Sequence, residues 1–114
     1  MDHGPPLSRS FDVLSHYRRR LVLYHLLETF DGAVHHDALA EIIVNETDGM
    51  EVTAETHDRV MTSLRHAHFP KLADAGLIEI DHEENTVRLR TLPTMVERLL
   101  DLSSDYEMGT PSRR

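Results

Sequence analysis

Cysteine is missing from this sequence altogether, which excludes disulfides, thiolate metal sites and cysteine nucleophiles. Long apolar runs are missing too. No stretch approaches the roughly 18 residues a membrane helix needs, and no signal peptide is read ahead of the domain. Enzyme signatures are equally scarce: there is no Gly-rich phosphate loop, no nucleophile elbow and no recognisable carboxylate pair. Ser63 and His66 stand at i and i+3 with no third partner. Catalysis is therefore not expected, nor is a cofactor. Lysine is nearly absent, Lys71 being the only one among 12 basic residues.

What the chain has instead is acid. Asp and Glu number 20, and the formal charge is −8. An acid-rich, lysine-poor surface keeps a protein dispersed in molar salt, so the composition points to a halophile. At about 1 M salt the Debye length is only about 3 Å, so net acidity does not repel DNA there as it would in dilute buffer. With 114 residues and 39% hydrophobic content, the chain suits one small globular domain in the cytoplasm.

The pattern along the chain predicts a flexible tail over 1–7, a domain over 8–104 and a second tail over 105–114. Ser8 or Ser10 can cap a short helix with Phe11, Val13 and Leu14. A main helix follows from Ser15 to Thr29, with Leu21, Tyr24 and Leu27 at helical spacing. After the turn "FDGA" comes a very short strand, "AVH", then a helix "HDALAEIIV" with Leu39, Ile42 and Ile43 on one face. "NETDGMEVT" reads as a loop. Thr53 caps a helix through Ala67 that turns Val60, Leu64 and Ala67 inward. Its cap reads as partial, because Thr56 stands where a capping box wants Glu or Gln. Pro70 kinks this helix or starts a fresh turn, closed by Gly76. "LIEID" and "TVRLR" alternate around "HEEN" and predict a hairpin, with Ile78, Ile80, Val87 and Leu89 on its buried face. "AVH" can add a third strand at the edge. A last helix follows Pro93, and "GTPSRR" ends the chain.

Two stretches resemble a known family. "LSHYRRRLVLYHLLETFDGAVHHDALAE" is similar to the opening of ArsR-like winged-helix regulators, and "HFPKLADAGLIEIDHEENTVRL" to the end of their recognition helix and their wing. With Pro70 inside "HFPKLADAGLI", the combination looks closest to a family of short haloarchaeal winged-helix proteins whose function is largely uncharacterised. The resemblance covers about residues 10–92. It implies a mainly α fold with a small β-hairpin wing (α+β), a winged helix-turn-helix, and with it a sequence-specific transcriptional regulator of double-stranded DNA. The chain departs from ArsR sensors in its longer loop "NETDGMEVT" and in lacking the cysteines of their usual metal site.

In such a domain, phosphate contacts give affinity and recognition-helix side chains read the major groove. With Val60, Leu64 and Ala67 inward, Thr56, Arg59, Ser63 and His66 form the outward stripe, flanked by Thr62 and Arg65. These are the candidate base contacts: Arg suits guanine, and Ser, Thr or His reach base edges. An ordinary solvated helix face would show a similar stripe. The candidate phosphate contacts are Arg65, Lys71, Arg88 and Arg90, with part of the cluster Arg18, Arg19 and Arg20. Three successive arginines fan over about 200° of a helix and cannot form one patch. They also oppose the macrodipole near a helix start. At least one is expected to pair with an acid such as Glu28, Asp37 or Asp58, an explanation as good as phosphate binding.

The wing tip, "DHEEN", works against DNA contact, since Asp81, Glu83 and Glu84 would meet phosphate at short range. The alternative function is therefore a winged-helix protein–protein interaction module without DNA binding, using the wing or the last helix on a protein partner. Nine histidines invite a metal reading. No His pair has the i, i+3 or i+4 helical spacing of a zinc motif, however, and no metal is expected. In the last helix Met95, Val96, Leu99 and Leu102 fall at near-heptad spacing and suggest a homodimer interface.

Overall fold

The computed structural model describes residues 6–48 and 51–108; the chain up to residue 5, Gly49 of the predicted loop and the "GTPSRR" end lie outside the described residues. Helix α1 spans Pro6–Leu14 and begins on proline, whose missing N–H costs nothing in a first helical turn. Ser8 and Ser10, expected as caps, lie inside it. The chain then turns, the Ser15 hydroxyl donating to the Asp12 carbonyl at 2.7 Å. His16 caps α2 (Tyr17–Glu28), its Nδ1 accepting the Arg18 N–H at 3.2 Å.

Helix α2 is the axis of the fold. Leu21, Val22, Leu23 and Leu26 have no exposed surface, and Tyr24 is buried with them. Apolar residues at three successive positions cover more than half the helix circumference, which is possible only because α1, α3, the sheet and α6 all pack on it. Leu27, at helical spacing with Leu21 and Tyr24, is exposed.

Strand β1 (Ala33–His35) is followed without a break by α3 (His36–Asp48), which carries the helix beyond the expected "HDALAEIIV" into "NETD". Leu39, Ala40, Ile43 and Val44 are buried and Ile42 is half-buried. Helix α4 (Ala54–Ser63) starts at Thr53. Its capping box is complete, contrary to expectation: the Thr56 N–H donates to Thr53 Oγ1 at 3.1 Å, and the Thr53 N–H to Thr56 Oγ1 at 2.9 Å. A threonine hydroxyl thus does the work of the usual Glu or Gln.

A π-helical turn, Leu64–His68, joins α4 to α5 (Phe69–Asp74), with the Phe69 N–H donating to the Leu64 carbonyl five residues back. Pro70 accounts for it. Proline has no N–H to continue the ladder, and its ring would collide with the carbonyl of residue 66 in a regular helix. The widened turn accommodates one extra residue. The inward position expected for Ala67 therefore passes to His68, which is 4% exposed, while Ala67 faces out. Gly76 then closes the exit from α5 at φ +80, a conformation that suits glycine.

Strands β2 (Ile78–Asp81) and β3 (Thr86–Leu89) form the hairpin, and β1 joins its far side to give the antiparallel order β1–β3–β2. Val87 lies opposite both Val34 and Ile80. Val87 and Ile78 are buried against the helices, Ile80 and Leu89 half-buried. Helix α6 (Thr94–Glu107) packs on α1 and α2. The fold is α+β, mainly helical with one small antiparallel sheet.

Candidate nucleic-acid interface

The three arginines of α2 go to three different places, as their angular spread requires. Arg18 Nη1 donates to Ser63 Oγ on α4 at 3.0 Å. Arg19 turns inward, 9% exposed, and donates to the Val13 carbonyl at 2.6 Å and the Asp12 carbonyl at 3.1 Å. It thereby holds the C-terminal carbonyls of α1, where a cation also complements the helix dipole. Arg20 forks onto Glu107 at the end of α6, with Nε–Oε1 at 2.9 Å and Nη2–Oε2 at 2.5 Å, and also donates to the Leu14 carbonyl at 2.6 Å. All three nitrogens of the Arg19 guanidinium and all three of the Arg20 guanidinium are thus engaged inside the protein, which gives both residues a structural role. The acid that answers the cluster is Glu107, not Glu28, Asp37 or Asp58. Asp37 takes His35 and His57 instead, at 3.7 and 3.5 Å.

Glu107 also accepts from the Tyr24 hydroxyl at 2.7 Å, and Ser103 lies 2.8 Å from the same oxygen of Tyr24. Burial, then the bond to Glu107, pushes the Tyr24 phenol up to about 12, while the Arg20 fork holds the Glu107 carboxyl below the usual carboxylate range. These groups pin α6 to α2.

On α4 the outward stripe separates into free and committed side chains. Arg59 is well exposed, held loosely by Glu55 at 3.6 Å. His66 and Arg65 are exposed on the π turn. Ser63 is half-buried and occupied by Arg18. Thr56 is half-buried, and its hydroxyl is the second arm of the cap. Lys71 Nζ pairs with Asp12 at 2.6 Å, and that ammonium lowers the Asp12 carboxyl.

The hairpin cations make only weak contacts of their own. Arg88 Nη1 donates to the Asp31 carbonyl at 3.3 Å, and Arg90 lies 3.8 Å from Glu79. At the tip, Asp81 Oδ1 accepts from the backbone N–H groups of Glu83 and Glu84, both at 3.0 Å, and Asn85 closes the turn at φ +57. The carboxylates of Glu83 and Glu84 are left exposed on it.

Of the expected dimer residues, Val96 is 2% exposed and belongs to the protein's own core, and Leu99 packs against that core half-buried. Met95 and Leu102 remain exposed at 40% and 59%. Leu102 joins Phe11 and Tyr106 around a groove of about 640 Å³ between α1 and α6, which also takes in Leu14 and Leu99.

Sequence reasoning missed a histidine pair. His68 lies under the π turn with its ring 4.3 Å from that of His16 and its Nδ1 3.2 Å from Arg19 Nη1. Burial first, then the charges of His16 and Arg19, push His68 down to about 4. His36, 3% exposed against Phe69, has neither ring nitrogen in a well-formed hydrogen bond, and burial lowers its pKa too. Among the described residues no three His, Asp or Glu side chains are grouped to hold a metal, and no helix is long and apolar enough to cross a membrane.

A family model described as "Domain of unknown function (DUF7344)" matches residues 11–88, about two thirds of the chain. The match runs from within α1 to β3 and leaves α6 outside it. No curated protein and no solved structure gives a significant match.

Proposed function

The chain belongs to the family described as a domain of unknown function, DUF7344, and we propose that it is a sequence-specific DNA-binding transcriptional regulator of the winged helix-turn-helix type, similar to ArsR-like regulators. The order α3, connection, α4, then hairpin supports this reading, as do the two stretches that resemble that family. The observation that carries it is the state of the α4–π-turn segment. A closed capping box fixes one end, the Arg18–Ser63 bond the middle and buried His68 the other end, while Arg59 and His66 stay exposed. A rigid helix with exposed donor side chains is what base-edge recognition needs. Arg59 and His66 are the proposed base contacts.

The proposed setting is the cytoplasm of a halophilic archaeon, where salt screens the acidic surface. The proposed assembly is a homodimer through the α1–α6 face, where Phe11, Leu102 and Tyr106 stay exposed around the groove, with Leu7 and Met95 exposed on the same two helices. The acidic hairpin tip favours a second function, a protein-interaction module without DNA binding.

Fluorescence anisotropy on duplex from the protein's own promoter region, in KCl up to about 2 M, decides between them. Saturable binding that an Arg59→Ala variant weakens by about 1–3 kcal/mol supports the regulator. No binding to that duplex or to pooled genomic fragments at any salt overturns it. Arg59 is exposed enough for its removal to leave the fold intact.

A further inference from the structure

Resting on the DNA-binding proposal, we infer that the duplex is held from the helical side only, by a ridge of Arg18, Arg59 and Arg65 across α2, α4 and the π turn, with the hairpin kept off the phosphates. Arg59 and Ser63 are i and i+4 on one helix face, so they are neighbours. The bond from Arg18 to Ser63 brings a cation of α2 beside that face, 45 residues away in sequence. One Arg18 nitrogen is committed to Ser63, and a guanidinium carries five N–H donors, so others remain for phosphate. Arg65 is exposed on the turn that follows.

The hairpin offers the opposite chemistry. A phosphate needs donors, and ionised Glu83 and Glu84 are acceptors only. Asp81 fixes the tip that carries them. Arg88 and Arg90 are exposed and only weakly engaged, by the Asp31 carbonyl at 3.3 Å and by Glu79 at 3.8 Å, but they stand on or just after the strand below this acidic tip, which keeps phosphate away from them. At contact distance, inside even the roughly 3 Å Debye length of molar salt, repulsion from the tip stays unscreened.

The test is the salt dependence of duplex binding for four variants: Arg18→Gln, Arg65→Ala, Arg88→Ala and Arg90→Ala. Glutamine at position 18 keeps a donor for Ser63 while removing the charge, and thermal melts confirm that each variant is folded. Removing a cation that neutralises one phosphate reduces the slope of log K against log salt by about 1. The expected result is that reduction in the Arg18 and Arg65 variants, and an unchanged slope in the Arg88 and Arg90 variants. A reduced slope in either hairpin variant, or unchanged slopes in both helical ones, overturns the one-sided grip while DNA binding itself stands. Failure of the unaltered protein to bind any duplex instead removes the regulator reading, and the grip with it.

Discussion

Arg19 and His68 meet inside the protein, Nη1 to Nδ1 at 3.2 Å, with both side chains buried. An arginine is always a cation and a donor, so His68 Nδ1 must accept and its proton must sit on Nε2. This contact joins the start of α2 to the end of the π turn, and Arg19 extends it to the carbonyls that close α1. One neutral histidine therefore stands where three segments converge.

Acid should break that junction. His68 is held at about 4 in the folded protein against about 6.5 unfolded, so between those values the unfolded chain binds the extra proton. Stability is full above about pH 6.5 and falls as pH drops toward 4. His36 shifts in the same direction and adds to the fall. Urea unfolding at a series of pH values should lose on the order of 2 kcal/mol across this window. A His68→Gln variant, which keeps an acceptor for Arg19 without titrating, should flatten the curve; an equally steep curve in the variant would count against His68 as the source.

The Arg20–Glu107 fork gives α6 its last turn. Both side chains are about one fifth exposed, so the pair is only partly screened. Glu107→Ala leaves the Arg20 guanidinium and the Tyr24 hydroxyl without their partner, and should cost about 2 kcal/mol in chemical denaturation. A double-mutant cycle with Arg20→Ala should show a coupling of about 1 kcal/mol or more; additive effects would mean the fork contributes little. Because the folded carboxyl lies below its ordinary value, this contribution is present at neutral pH and is lost as pH falls through that depressed value.

The threonine capping box makes a local prediction. Thr53→Ala removes the side chain that accepts from the Thr56 N–H and should cost about 1 kcal/mol. Thr56→Glu restores the usual partner at that position and should be neutral or stabilising by thermal melt, where a marked loss would show that the hydroxyl's further contact to the Glu51 carbonyl matters.

Two residues of α6 six positions apart should behave oppositely. Val96→Ala opens space in the core and should destabilise by about 1–3 kcal/mol at any protein concentration. Leu102→Glu should leave single-chain stability nearly unchanged while shifting sedimentation toward monomer. If the unaltered protein already sediments as a monomer at high concentration, the α1–α6 face is not a dimer contact.

Much of the architecture was legible in the chain. Short-range chemistry set the turn at "FDGA", the exit at Gly76, the start of α4 at Thr53 and the alternation of the hairpin, because each depends on a few neighbouring residues. The edge strand "AVH" was found for the same reason. The outward position of Arg59 and His66 also followed from local periodicity. That periodicity failed at Ala67, where the π turn displaced the pattern by one residue; Pro70 was visible, but the form of its accommodation was not.

The sequence by itself determined most of the helices and strands, though not the run of α3 into "NETD" or the π turn, and that three adjacent arginines had to diverge. Only the tertiary structure decided where they went: Arg18 to a serine 45 residues away, Arg19 to a histidine 49 away, Arg20 to a carboxylate 87 away. Such partners carry no periodic signal, since they meet through the packing of separate elements. The same holds for Val96 and Leu102, equally apolar in the sequence, which α1 and α2 sort into core and surface.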